Sequence, residues 1–387
     1  MNNDAHDESR STIRTFAAAS FLNDFGSDTI YPVWPFFVTS LGANKEMLGL
    51  IDGLGEALVS ISQAVSGYLS DRFRKRKVFI WLGYLFGAVS RAGYALSVAW
   101  PQLIPCRILD RAGKMRGSPR DAMVADASTD QNRGRNFGLL RSMDNLGAVF
   151  GIIFCMAFLH LGYSTLFMIA AVPSLLAVAL VISKIHEKPV AEGKIFKGLS
   201  FQRLDRNFTV YLILNALFSL ASFSYSFLML YAIEGGVPQV MTPLLYLLFT
   251  LMASLLSLPF GRLSDSLGRR TVLALSFVLW GAVCGILLIE RSVATMVAAF
   301  ALYGTHKAAL EPVQKALVSE LCPADLRAST LGGFQMVVGL CALPSSFLAG
   351  FLWDRVSPTL PLVVSLVLTA LATALLVFVQ QPREMHS

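Results

Sequence analysis

Gly67-Tyr68-Leu69-Ser70-Asp71-Arg72-Phe73-Arg74-Lys75-Arg76 lies between two apolar stretches, and Gly261-Arg262-Leu263-Ser264-Asp265-Ser266-Leu267-Gly268-Arg269-Arg270 lies between two others. The copies stand 194 positions apart, almost half of the 387 residues. The same offset carries Ala122, Val124, Arg133 and Gly138 onto Ala316, Val318, Arg327 and Gly332, and acidic Asp126 onto Glu320. Two mostly apolar halves repeating in register mark a duplicated membrane bundle, an architecture that places a site between the halves.

The composition agrees. The chain is 55% hydrophobic and 15% charged, against roughly 25% charged in soluble domains. Twelve stretches are long enough to cross a bilayer, at about 15–41, 47–70, 77–98, 101–127, 134–160, 162–185, 207–235, 239–262, 271–290, 292–318, 325–353 and 359–380; they are called spans 1 to 12 below. Residues 1–14 are polar and span 1 is too long for a cleaved signal peptide. The expected organisation is a cytoplasmic tail (1–14), a six-helix bundle (15–185), a cytoplasmic linker (186–206), a second six-helix bundle (207–380) and a tail (381–387).

The net charge of +7 would suit nucleic acid if it were spread over a soluble surface. It is instead concentrated on one side. With the N-terminus inside, the inner segments hold Arg10, Arg14, the Arg72–Lys77 cluster, Lys184, Lys188, Arg269, Arg270 and Arg383, whereas the outer loops hold only Lys45, Arg291 and Arg355. This positive-inside bias puts both termini in the cytoplasm and makes nucleic acid an unneeded partner. The five cysteines are scattered, and neither they nor the histidines have metal-ligand spacing. No phosphate-binding loop, nucleophile triad or zinc signature is present, so neither enzymatic activity nor a cofactor is expected.

The repeated segment resembles the loop between the second and third helices of the major facilitator superfamily, whose pattern is roughly G-x-L-[AS]-D-R-x-G-R-[KR]. Gly67, Leu69, Ser70, Asp71, Arg72, Lys75 and Arg76 match it, as do Gly261, Leu263, Ser264, Asp265, Gly268, Arg269 and Arg270; Arg74 and Ser266 depart from it. The resemblance covers nearly the whole chain. It implies an all-α membrane protein of that fold, with two six-helix bundles related by a pseudo-two-fold axis around a central cavity. It also implies a gate role for Gly67, Asp71, Arg72, Gly261, Asp265 and Arg269. The glycines would allow close helix packing and the aspartates would form contacts at the membrane boundary that break between conformations. Lys75, Arg76 and Lys77 read as simple anchors.

Span 4 is the most charged: Arg107-Ile108-Leu109-Asp110-Arg111-Ala112-Gly113-Lys114-Met115-Arg116-Gly117-Ser118-Pro119-Arg120-Asp121. Each unpaired charge near a bilayer centre costs at least a few kcal/mol, so this helix must face protein or water. At 100° per residue, Arg107, Asp110, Arg111, Lys114 and Asp121 share a face, whereas Arg116 and Arg120 fall opposite and are expected to snorkel or pair near the inner surface. Pro119 is expected to break the helix. Arg107 matches an arginine that resemblance to the family links to proton coupling.

Other spans carry charges at helical spacing: Asp24 and Asp28 in span 1, Asp52 and Glu56 in span 2, Arg91 in span 3, Arg141 and Asp144 in span 5, and Lys307 and Glu311 in span 10. Arg141–Asp144 and Lys307–Glu311 could equally be structural ion pairs, and Asp52–Glu56 a structural pair of acids with neither a coupling nor a binding role. Asp24, Asp28, Arg107, Asp110 and Arg111 read as functional. Gly147 and Gly151 of span 5 read as helix packing, with no proline near them.

The expected function is secondary active transport of a small polar or charged solute across the inner membrane by alternating access. Proton coupling and export are favoured, and the protein is expected to work as a monomer in the lipid bilayer. The alternatives are a passive facilitator, or a lipid-translocating or non-transporting membrane protein. The mixed lining suits a charged or zwitterionic solute, and the scarcity of histidine and cysteine disfavours soft metals.

Overall fold

The computed structural model describes residues 2–73, 75–128, 133–187, 206–321 and 327–380. Among these residues the regular structure is all helical, and the helices form twelve rods, one for each predicted span. Eight rods, those of spans 2, 5, 6, 7, 8, 9, 11 and 12, contain a stretch long and apolar enough to cross a membrane. Spans 1, 3, 4 and 10 do not reach that level. Each of these four rods carries charged residues in its interior, among them Asp24 and Asp28, Arg91, Arg107 to Arg111, and Lys307 and Glu311.

The rods cluster into two units. The first takes the residues up to Gly42, resumes at Leu58 and runs through span 6. Span 1 is a helix from Asn2–Ile30, a 3-10 turn at Tyr31–Val33 and a short helix at Trp34–Ser40. Pro32 and Pro35 lie in the first turns after each break, where a missing N–H costs little. The helix starts at Asn2, so the polar residues 2–14, expected as a tail, prolong it instead. Toward the inner end, Phe16, Ile80, Tyr84, Val124, Leu140 and Val181 of spans 1, 3, 4, 5 and 6 form a fully or nearly fully buried core. A Cβ on Gly147 or Gly151 would collide with the backbone carbonyl of Phe21 or Phe25, so span 5 packs directly on the backbone of span 1. This is the packing role read for those glycines.

Spans 3 and 4 also meet at glycine. A Cβ on Gly113 would lie 2.7 Å from the carbonyl oxygen of Gly83. At this crossing span 4 is interrupted: helix Leu103–Ala112, 3-10 turn Gly113–Arg116, helix Gly117–Asp126. The break therefore precedes Pro119, which sits harmlessly in the first turn of the next helix.

The second unit holds spans 7 to 12 together with Ala43–Ala57, the first part of the span 2 helix Lys45–Phe73. Gly53 packs on the backbone of Leu343 in span 11, and the Glu46 N–H donates to Asp354 Oδ2 at 2.9 Å. Span 7 breaks between Arg206–Ala221 and Tyr225–Glu234, and the Ser224 side chain caps the second helix. Phe218 stacks on Phe277 at 4.0 Å, and Trp280 Nε1 donates to Ser365 Oγ at 2.9 Å in the unit's interior. Span 10 is one helix, Val293–Glu320, started by a Ser292/Thr295 capping box. The predicted 186–206 linker lies almost entirely outside the described residues, and the 381–387 tail lies wholly outside them.

Candidate functional site

The first unit contains a layer of charge spread over spans 1, 3, 4 and 5. Its centre is Arg91, which is 2% exposed. Arg91 donates to the Asn23 carbonyl and Asn23 Oδ1, both at 3.2 Å, to Ser27 Oγ at 2.7 Å, and to Ser174 Oγ. Gly26 leaves the room this guanidinium needs. All these partners are neutral, so Arg91 braces span 1 against spans 3 and 6 and orients the face that carries Asp24 and Asp28.

Above Arg91, Asp110 is shared by two arginines of its own helix. Arg107 Nη1 lies 3.9 Å and Arg111 Nε 3.7 Å from Asp110 Oδ2, and all three residues are buried. Arg107 lies 4.3 Å over the Trp34 ring. Arg111 lies 5.2 Å over the Tyr31 ring and donates to the Tyr31 hydroxyl at 3.2 Å. Stacking on aromatic faces fixes the planes of both guanidiniums.

Below it, Arg116 is buried over Tyr84 at 5.0 Å and reaches Asp24 Oδ1 at 3.9 Å. Arg120 donates to Ser20 Oγ at 2.7 Å and lies 3.6 Å from Asp144. Of the two outcomes expected for Arg116 and Arg120, both take the pairing one, but from the charged face and not from the opposite one. The 3-10 turn explains it. At three residues per turn, each residue rotates about 20° further than in an α-helix. Four such residues swing Arg116 and Arg120 by roughly 80° toward the charged face. The expected Arg141–Asp144 pair is likewise replaced, since Arg120 takes Asp144 and Arg141 is exposed. Asp28 and Lys114 remain half-buried and, among the described residues, make no hydrogen bond or ion pair.

The second unit has its own polar cluster. Asp52 is buried and accepts hydrogen bonds from Ser224 Oγ at 2.7 Å and from Ser226 Oγ, on either side of the span 7 cap. Glu56, one turn further along span 2, and Glu311, one turn beyond Lys307, are exposed. Lys307 lies 5.8 Å over the Tyr303 ring, which stacks on Phe249 at 4.7 Å. Lys307 and Glu311 share a face without forming a close ion pair. His306 is fully buried, with Nδ1 donating to the Ser276 carbonyl at 2.7 Å.

At the repeated motif, Arg269 binds Asp265 Oδ1 at 2.5 Å and Glu320 Oε1 at 2.9 Å. In the first unit Arg76 binds Asp126 Oδ2 at 2.5 Å. Asp126 and Glu320 are the acidic residues matched by the 194-residue offset, so each unit ties the start of its third span to the end of its fourth by an equivalent bridge. Arg76 is therefore more than an anchor. Arg72 is exposed and reaches the Tyr68 hydroxyl at 3.4 Å. Gly67 makes only ordinary contact with Ser118, and nothing lies near a Cβ at Gly261; close packing at these glycines is not observed within the described residues. The Asp71 side chain lies outside the described ones.

Sequence reasoning missed Trp34, Tyr84 and Ser174. Aromatic and hydroxyl residues in apolar spans give no signal until the charges they face are located.

The sequence profile of the Major Facilitator Superfamily matches residues 16–256 and 211–387. An uncharacterized MFS-type transporter of Methanocaldococcus jannaschii is 34% identical over 389 residues, covering 98% of this chain and 97% of its own. The quinolone resistance protein NorA of Staphylococcus aureus is 25% identical over 187 residues, 48% of each chain. Among solved structures, a bacterial homolog of the human lysosomal transporter Spinster, inward-facing and occupied, superposes with a TM-score of 0.77 at 14% identity, over 95% of this chain and 96% of that one. The chain belongs to the major facilitator superfamily. It is a multi-pass membrane transporter that acts on small molecules, and not an enzyme.

Proposed function

We propose that this transporter is a proton-coupled secondary carrier of a small polar or charged solute, working by alternating access in the inner membrane with both termini in the cytoplasm. The observation that carries the reading is the charged layer of the first unit. Asp24, Asp28, Asp110 and Asp144 are held among six cationic side chains at membrane depth. Burial favours the protonated form of a carboxylate, and an adjacent guanidinium favours the ionised form. A carboxylate whose arginine contacts loosen during the cycle therefore takes up a proton, and it releases that proton when the contacts re-form. Asp24, Asp28 and Asp110 are the candidate carriers, with Asp144, Glu56 and Glu311 next. Arg107, Arg111, Arg141 and Lys307 are the candidate cationic partners. The likeness to NorA over half the chain favours export. The transporter acts as a monomer.

Proteoliposomes loaded with a pH-sensitive dye test this. Amino acids, sugars, organic acids and organic amines are added in turn under an imposed pH gradient. At least one class is expected to move protons. Asp→Asn at the carrier is expected to abolish gradient-driven accumulation and spare exchange at equal concentrations. Full accumulation by Asp24→Asn, Asp28→Asn and Asp110→Asn alike would refute the assignment. Solute equilibration with no proton movement would identify a passive facilitator.

A further inference from the structure

The charged layer is almost fully matched within itself. Arg107 and Arg111 share Asp110, Arg116 reaches Asp24, Arg120 reaches Asp144, and Arg91 is ringed by neutral oxygens. One anion and one cation are left over. Asp28 sits in the last turn of the helix Asn2–Ile30, and Lys114 sits in the 3-10 turn Gly113–Arg116. They stand level with each other: Arg111, one turn before Lys114, donates to Tyr31, one turn after Asp28, and Arg116, beyond Lys114, reaches Asp24, one turn before Asp28. Neither makes a hydrogen bond or ion pair among the described residues. A lysine has a flexible four-carbon stem and three donors, so failure to close on a nearby carboxylate needs a reason. The backbone supplies it: Gly113 is locked against Gly83, with 2.7 Å between a Cβ there and the Gly83 oxygen, which fixes where the Lys114 stem begins.

Resting on the transport reading above, we propose that Asp28 and Lys114 are the recognition pair for a small zwitterionic solute. Asp28 takes its ammonium group and Lys114 its carboxylate, with the Arg111–Tyr31 stack beside them. A simple anion would meet Lys114 but leave Asp28 desolvated and unmatched. A simple cation would do the reverse. Only a solute with one charge of each sign matches both groups without changing the net charge of a low-dielectric layer.

Thermal unfolding of the full chain in detergent tests the pair. The probes are the ω-amino acids from glycine to 6-aminohexanoate, which step the separation of ammonium from carboxylate, each with its N-acetyl and methyl ester derivatives. A ligand that binds only the folded state raises the unfolding midpoint by mass action. At least one zwitterion is expected to raise it, with both derivatives at least tenfold weaker. Asp28→Asn and Lys114→Gln are each expected to weaken that zwitterion tenfold or more. The charge-keeping Lys114→Arg and Asp28→Glu should stay within about threefold of the original chain, which guards against misreading a fold defect.

If no zwitterion shifts the midpoint, or if the shift survives both neutralising variants, the inference is overturned. It also falls if Asp28→Asn loses pH-driven accumulation while binding the zwitterion unchanged, because Asp28 is then a proton carrier alone. Accumulation of a singly charged solute, with no zwitterion response, sinks this inference and leaves the transport reading standing. Zwitterion binding lost in both variants, with no movement across vesicle membranes, does the opposite.

Discussion

Arg120→Met should destabilise the protein more than the double variant Arg120→Met/Asp144→Leu. In the structure Arg120 lies 3.6 Å from Asp144, and the two side chains are 15% and 11% exposed. Arg120 also donates to Ser20 Oγ at 2.7 Å, and Ser20 is buried. Removing one partner of a buried pair leaves an uncompensated charge and costs about 3–5 kcal/mol. The lost hydrogen bond to Ser20 adds about 1 kcal/mol. Replacing both charges with apolar groups of similar volume is commonly neutral or stabilising. The second substitution should therefore recover about 3 kcal/mol, which is about two orders of magnitude in the unfolding equilibrium constant. Unfolding of the purified proteins in mixed micelles by titration with a denaturing detergent, followed by tryptophan fluorescence, reads the order directly. A single variant as stable as the double would refute the reasoning, because solvent or the exposed Arg141 would then already compensate Asp144. Transport by the double variant adds a separate reading: intact accumulation makes the pair structural, and lost accumulation with intact folding puts Asp144 among the coupling groups.

Gly151→Val should sharply lower the folded yield, because its side chain would run into the Phe25 carbonyl, whereas Gly261→Ala should be silent, with open space at that position; equal yields of the two by size-exclusion chromatography would contradict the packing described. Asp71→Asn should slow transport more than Lys77→Gln, since the Lys77 side chain donates to a neutral backbone carbonyl, that of Ile182, at 2.8 Å, and equal rates at matched expression would count against a gate role for Asp71.

The duplicated architecture was legible because the evidence for it is one-dimensional. A repeat offset, apolar run lengths and the side on which lysine and arginine accumulate can all be read along the chain without knowing any contact. That Arg91, Arg107, Asp110 and Arg111 are buried was legible for a similar reason: a charge in a membrane span must face something other than lipid, whatever that something is. The pairings were not. Periodicity predicts partners three or four residues away on one helix, and so it offers Arg141 for Asp144 and, for Asp52, only another acid, Glu56. The structure instead supplies Arg120 from another span and the hydroxyls at the cap of span 7. The phase of span 4 failed for a single physical reason. The Gly83–Gly113 crossing tightens the helix into a 3-10 turn, and a glycine in span 4 does not announce which glycine of span 3 it will meet. Every residue beyond that crossing rotates relative to the residues before it. The same local event returns Arg116 and Arg120 to the charged face. A helix of uniform pitch would place Arg116 and Arg120 away from their carboxylates, leaving Asp24 and Asp144 unmatched at membrane depth. The irregular turn is therefore what lets so charged a span find partners for its arginines on the neighbouring spans.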